Sequence, residues 1–345
     1  MSLIELQGDR AAVGFAHGQA LDDRIHDSLG VYERLFADFV GLSWSQARSQ
    51  ATRFLPAIER HFPDILDELQ GIAQGARLDF EDILALNCRS EIALTQSGGC
   101  SAIALNREAT QWLAQNWDWR ADQQKNVAIL KIAVEGQAPL ISVGEAGMVG
   151  KIGLNVHGIG VCLNAIRSQT CGDGLPIHIA LRKILECRDF AAARHILREE
   201  RIASPAHFLV ASSGGDAIGF EVHPGTPGEI TPQNGAVLHT NHLVDPATTE
   251  NVADFPRPDS PLRLTRLETL MERFNAATPG AFLEVLSDHD NAPSSICRHT
   301  NLDVPEAERM ETLFSVVMNL NQRRLYLRIG KPCESDGMKT FSLAD

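Results

Sequence analysis

Near residue 90 the hydrophobic rhythm of the chain changes, so any fold must join a helical block to a sheet-rich one. Before that point Leu21, Ile25, Leu29, Tyr32, Phe36 and Phe39 recur at the spacing that lines one helix face. This predicts one long amphipathic helix over 18–40. Ser43 and Ser45 are N-cap candidates for a following helix, Pro63 suits the start of another ending at Gly71 or Gly75, and Asp79 caps a short one through Leu86. After Cys100 the pattern becomes short aliphatic and β-branched runs punctuated by glycine: Ser101 to Leu105, Val127 to Val134, Leu140 to Val143 and Gly160 to Ala165. Ile177 to Arg201 returns to helical spacing, Phe208 to Ala211 resumes strand character, and Ser213-Gly214-Gly215-Asp216 reads as a hairpin turn. Proline and glycine cluster in 223–235 and 255–261, where loops are expected. No repeat or low-complexity tract interrupts the chain.

With 345 residues, 44% hydrophobic and 22% charged, the chain has the composition of a folded globular protein with ample surface to bury. Its longest apolar runs, such as Val127 to Val134, are too short for a membrane span, and no basic start leads into an apolar signal core. A cytoplasmic location without membrane association is expected. The net charge of -13 opposes binding to a phosphate backbone, which argues against a nucleic-acid partner. The 7 cysteines form no CxxC pair, which argues against a disulfide framework and a zinc knuckle and leaves reduced thiols as the expectation.

One of these thiols stands apart. Cys100 follows Gly98 and Gly99, and a carboxylate lies one hairpin further on in Gln115-Asn116-Trp117-Asp118-Trp119. A cysteine that becomes an N-terminus carries its own base, because an α-amino group of pKa about 7.7–8.0 exchanges protons easily with a thiol of about 8.5. The thiol frees that amine by attacking the preceding carbonyl, a step that the two glycines ease by permitting a strained backbone. The same three residues also fit a tight turn before a strand that buries an inert thiol. Asp118 alone equally fits an exposed strand carboxylate, and Asn241 a loop-capping residue. Gln115 and Asn116 point to opposite faces if they lie on a strand.

The ordered set Gly99-Cys100, Gln115 to Trp119, His239-Thr240-Asn241-His242 and Ser295-Ile296-Cys297-Arg298 resembles the acyl-coenzyme A:6-aminopenicillanic acid acyltransferase family, the isopenicillin-N acyltransferases, which are N-terminal-nucleophile hydrolases. The resemblance runs nearly end to end. Asn87-Cys88-Arg89-Ser90-Glu91 resembles the family's stretch ahead of its cleavage site, and Gly153-Leu154-Asn155 with Gly158 its central strand pair. It implies an α+β fold, a four-layer αββα sandwich, in which residues 1–99 become a mainly helical small subunit and 100–345 the catalytic large subunit of one domain. It also implies cleavage between Gly99 and Cys100, with Cys100 as nucleophile, Asp118 beside its freed ammonium, Asn241 as an oxyanion-hole amide, and Arg298 facing the site, where it binds a carboxylate or depresses a thiol pKa. Ser295, Trp117 and Trp119 are the candidate substrate contacts. His239 and His242 lack a nearby third ligand of the usual kind and are read as structural.

The function so implied is a self-processing amidohydrolase or acyltransferase acting on a small linear amide or acyl thioester through an acyl-enzyme thioester. No metal or organic cofactor is expected. The two subunits should stay associated, with a homo-oligomer of the processed pair also open. The C-terminus Phe341-Ser342-Leu343-Ala344-Asp345 lacks a peroxisomal tripeptide, which argues against the role of the fungal enzymes in penicillin assembly. Two other readings stay open. A papain-like thiol hydrolase needs no chain cleavage and would use Gln96 shortly before Cys100, although Ser101 replaces the aromatic of that signature. A non-catalytic relative would bind a ligand and keep Cys100 as core.

Overall fold

The computed structural model describes residues 2–93, 98–334 and 337–343, so Gln96, Ala344 and Asp345 lie outside the described residues. The chain opens with a strand, β1 (Ile4–Gly8), before seven helices: α1 (Arg10–Ala20), α2 (Asp22–Val40), α3 (Trp44–Ala51), α4 (Leu55–His61), α5 (Ile65–Gly75), α6 (Phe80–Asn87) and α7 (Arg89–Ile92). The single helix predicted over 18–40 is thus two, divided at Leu21, whose φ of -123° leaves the helical region. Ser43, not Ser45, caps α3 in a capping box with Gln46, and Asp79 caps α6 in another with Asp82.

The remaining strands are β2 (Gly99–Arg107), β3 (Thr110–Trp119), β4 (Val127–Val134), β5 (Leu140–Glu145), β6 (Ile152–Asn155), β7 (Ile159–Ala165), β8 (Ala206–Ser212), β9 (Ala217–Val222), β10 (Gly228–Ile230), β11 (Ala236–His239), β12 (Glu311–Asn319), β13 (Arg324–Ile329) and β14 (Lys339–Ser342). Between them run α8 (Ile177–Leu185), α9 (Phe190–Glu199), α10 (Pro246–Asn251), α11 (Asp259–Glu272) and α12 (Pro279–Leu286). Helical spacing over 177–201 resolves into α8 and α9. The loop expected over 223–235 contains β10, and α11 begins inside the one expected over 255–261.

The strands form two sheets. The larger runs β1-β4-β5-β6-β7-β8-β9-β10 and the smaller β11-β2-β3-β12-β13-β14. Strands β2 and β3 face β7 and β8, so the sheets stack; α1, α8 and α9 cover the outside of the larger sheet, and α11 and α12 the outside of the smaller. The layers are therefore α, β, β, α, as the resemblance implies. One apolar core unites the helical block and both sheets, running from Leu6 through Ile72 and Leu113 to Leu343. A second, containing Trp112, Phe282 and Leu286, fills the space under α11 and α12.

The helical block is not a detachable cap. Its strand β1 lies parallel to β4 at the edge of the larger sheet. Asn87 donates to the Gly147 carbonyl at 2.8 Å and accepts from Val149 N–H at 3.0 Å, while Glu91 accepts from Ile177 N–H at 2.9 Å and Ser204 at 3.0 Å. Deeper in, the Arg182 guanidinium grips the Glu68 carboxylate at 2.7 and 2.8 Å, and Arg10 bridges Glu68 to Glu186. Glu68 and Arg182 are fully buried and Arg10 and Glu186 nearly so, and they hold one another because either sign left alone there would be costly.

Candidate active site

Antiparallel register decides which way each site residue points. On β2 and β3, Cys100 pairs with Trp117 and Gly99 with Asp118. Directly opposed residues share a face, so Cys100 and Trp117 project to one side and Asp118 to the other. Gln115 reaches across to the other sheet, where it exchanges hydrogen bonds with Leu163 N and O at 3.1 and 2.5 Å. Asn116 turns outward and donates to the carbonyls of Leu286 and Ile296 at 2.8 and 3.0 Å. The sulfur of Cys100 therefore lies between the sheets, and the Asp118 carboxylate on the α11–α12 side.

That carboxylate meets the chain at the Gly99–Cys100 bond. A Cβ on Gly99 would sit 2.5 Å from Asp118 Oδ2 and 3.1 Å from Arg298 Nε, closer than side-chain atoms pack. Gly99 is not among the glycines of positive φ. Close approach accounts for both glycines here, since a Cβ on Gly98 would sit 2.1 Å from the Asp118 carbonyl oxygen. Asp118 Oδ2 accepts from Arg298 Nε at 3.3 Å and Oδ1 from the Thr312 hydroxyl at 2.7 Å. A β-bulge between Thr312 and Phe314 places that hydroxyl opposite Asp118. Burial pushes the Asp118 carboxyl above its usual pKa, and Arg298 and Arg263 pull against it.

Sequence reasoning missed Arg263 and Asp259 on α11. Arg263 donates to the Cys100 carbonyl at 2.6 Å, to Ser101 Oγ at 3.1 Å and to Asn241 Oδ1 at 2.9 Å, while its Nε bonds Asp259 at 3.0 Å. Asp259 also binds Arg298. No local motif marks these two; only the packing of α11 on β2 and β11 brings them to Cys100.

Asn241 accepts from Cys100 N–H at 2.7 Å, and its Nδ2 donates to the Ala165 carbonyl at 2.8 Å. The amide oxygen faces the nucleophile's nitrogen, whereas the resemblance implied an amide donor. Two donors, the Cys100 peptide N–H and Arg263, converge there and require an acceptor. His239 is buried, bonded to Glu221 at 3.0 Å and stacked on His207, and His242 contacts Ser260 at 2.8 Å.

On the sulfur side, a cavity of about 30 Å³, room for about one water, is lined by Cys100, Gly98, Trp117, Trp119, Arg89 and Leu163 among others. Both candidate tryptophans reach it. Ser295 is not among its lining residues and instead donates to the Cys297 carbonyl at 2.6 Å. Lys151, also missed from sequence, lies 3.1 Å from the Trp117 ring centre and pairs with Glu145 at 2.8 Å; burial brings its ammonium down to about 7. Glu145 also binds Arg89 at 2.8 Å and Tyr32. Burial and the Asp118 charge push the Cys100 thiol up to about 11, against weaker pulls from Lys151, Arg263 and Asn241. Among the described residues no histidine hydrogen-bonds Cys100 Sγ, so the site lacks the Cys–His pair of a papain-like hydrolase.

A helix-covered αββα sandwich with a buried thiol at the start of an inner strand is the architecture of N-terminal-nucleophile hydrolases. The chain belongs to the acyl-coenzyme A:6-aminopenicillanic acid acyl-transferase family, whose pattern matches residues 105–334. It is similar to the 40 kDa form of acyl-coenzyme A:6-aminopenicillanic-acid-acyltransferase from Emericella nidulans, at 28% identity over 99% of this chain and 97% of that one. Among solved structures, penicillin V acylase from Agrobacterium tumefaciens matches 71% of this chain and 86% of its own, with a TM-score of 0.49 and 11% identity. A conjugated bile acid hydrolase from Clostridium perfringens matches 71% of this chain and 92% of its own, with a TM-score of 0.45 and 11% identity. No helix among the described residues is long and apolar enough to cross a membrane.

Proposed function

We propose that the protein is a self-processing N-terminal-cysteine amidohydrolase or acyltransferase. In processing, Cys100 Sγ attacks the Gly99 carbonyl, the Cys100 nitrogen takes up the thiol proton and leaves as the new α-amine, and water hydrolyses the resulting thioester. In turnover, the thiol attacks an amide or acyl-thioester carbonyl, its own amine passes the thiol proton to the leaving group, and water or an acceptor amine releases the acyl chain. The observation that carries this reading is the cradle at the Gly99–Cys100 bond, in which the Asp118–Arg298 pair packs on Gly99 while Asn241 Oδ1 and Arg263 hold the nitrogen and carbonyl of Cys100. An ammonium released there would meet a carboxylate and an amide oxygen, both suited to orient it.

The fragments 1–99 and 100–345 would remain one particle, because the Glu68–Arg182 and Arg89–Glu145 pairs and the shared core all cross the cut. Small linear amides, such as N-acyl amino acids and phenoxyacetyl amides, are the favoured substrates, by analogy with the amide-forming and amide-cleaving relatives. The test is the denatured intact mass of wild type beside Cys100→Ala. Wild type should split into 1–99 and 100–345 and the variant stay whole. Two unbroken, folded chains would refute self-processing. A processed enzyme that only transfers acyl groups from thioesters to amines would refute the preference for hydrolysis.

A further inference from the structure

Outside the Cys100 site, four side chains with metal-binding donors converge. His289 follows α12, Cys297 and His299 flank Arg298, and Cys333 follows β13; one donor atom from each lies within 4.8 Å of all the others. His289 Nε2 and His299 Nε2 are 3.1 Å apart, Cys297 Sγ and Cys333 Sγ 3.5 Å, and His299 Nε2 lies 3.2 Å from Cys333 Sγ and 3.9 Å from Cys297 Sγ. We propose that these residues form a Cys2His2 site for a tetrahedral divalent metal of the zinc type.

The spacing fits the chemistry. Zinc bonds of about 2.3 Å to sulfur and about 2.0–2.1 Å to nitrogen place tetrahedral donors roughly 3.3–3.8 Å apart, close to the observed edges. Two thiols and two imidazoles are soft and borderline donors, which select zinc over calcium or magnesium. A second shell is also present. Glu334 lies 3.3 Å from His299 Nδ1, where a carboxylate would accept the ring proton of a histidine that ligates through Nε2, and Lys331 bridges Glu334 and Glu311 at 3.3 and 3.0 Å. The Cys297 N–H donates to the Asp288 carbonyl at 2.9 Å, tying its segment to the turn that carries His289.

The position gives the site a purpose. Arg298, between two of the ligands, donates its backbone N–H to Thr312 Oγ1 at 2.9 Å and its side chain to Asp118. A metal would clamp the segment that aims this arginine, so its role is to position and not to react. This proposal departs from the expectation, implied by the family resemblance, that the chain uses no metal, and from the argument of cysteine spacing against a zinc knuckle.

The experiment uses full-length protein prepared with reductant and without chelator, with zinc content measured by elemental analysis and the site probed by cobalt substitution. Wild type and the control Cys171→Ser should hold about one zinc per chain, and the cobalt form should show tetrahedral visible bands with a thiolate charge-transfer band. Cys333→Ser and His289→Gln, both at exposed positions, should lose the zinc and weaken those bands, and Glu334→Gln should lower zinc affinity by about tenfold or more. Reduced, folded wild type that takes up no zinc overturns the proposal, as does undiminished binding in Cys333→Ser and His289→Gln or a Cys297–Cys333 disulfide with no zinc binding after reduction.

Discussion

Two buried charge clusters flank Cys100, and they are built from different parts of the chain. Asp118, Arg298, Arg263 and Asn241 all follow residue 100 and meet the chain at Gly99 and Cys100, and Asp259 and Thr312, which follow it too, hold them in place. Glu145 and Lys151 follow it too, but their partners Arg89 and Tyr32 precede it, and this cluster backs the Trp117 and Trp119 rings. A cut at Gly99–Cys100 would leave the first cluster in one piece and make the second a contact between pieces. On the proposed function, the first cluster would act on the Gly99–Cys100 bond and the second would hold the thiol's pocket together.

If that division is right, one substitution in each cluster should separate chemistry from cohesion. Asp118→Asn keeps shape and removes charge, so processing followed by intact mass should slow by about a hundredfold to a thousandfold, the range for a charge-stabilising group, with the smaller change in urea midpoint because Arg298 keeps Asp259 as a partner. Glu145→Gln should do the reverse, costing about 3 kcal/mol in urea unfolding by leaving Lys151 and Arg89 without their carboxylate. Burial would raise the Glu145 pKa, but Arg89 and Lys151 bring it down to about 2 from an ordinary 4.5. Its stabilisation is therefore complete above about pH 4.5 and lost as pH falls toward about 2, and the variant should lack that acid limb. Equal loss of processing and of stability in both variants would erase the distinction.

The smallest expected effect sharpens the comparison further. If Lys151, its ammonium lowered to about 7 by burial, relays the Cys100 thiol proton to the Cys100 nitrogen, its neutral form is the one that acts. The wild-type processing rate should rise with pH and level off near 7, whereas in Lys151→Met it should be lower at neutral pH and keep rising toward the thiol value of about 11. Superimposable profiles would confine Lys151 to cohesion.

Local signals were well legible in the sequence. The capping boxes at Ser43 and Asp79 and the hairpin turn after Ser212 each depend on residues within a few positions of one another, so their geometry is written in a short window. The break at Leu21 was not legible, because the apolar stripe continues across it in both helices. Nor was β1, a short edge strand whose place depends on pairing with β4 more than a hundred residues later. In the candidate site, ordered motifs pointed to Cys100, Asp118, Asn241 and Arg298, which the fold does bring around one peptide bond. Ser295 went instead to the Cys297 carbonyl, and Asn241 presents its oxygen.

By itself the sequence determined where helix yields to strand, which faces are apolar and which thiol follows a pair of glycines, because periodicity and backbone preference act over short separations. Only the tertiary structure decided that Arg263 and Asp259 complete the cradle, that Lys151 backs the thiol's pocket, and that His289, Cys297, His299 and Cys333 share one point in space. Those groups meet across loops of tens to hundreds of residues, and the burial that makes each charge or donor demand a partner exists only once both sheets have closed.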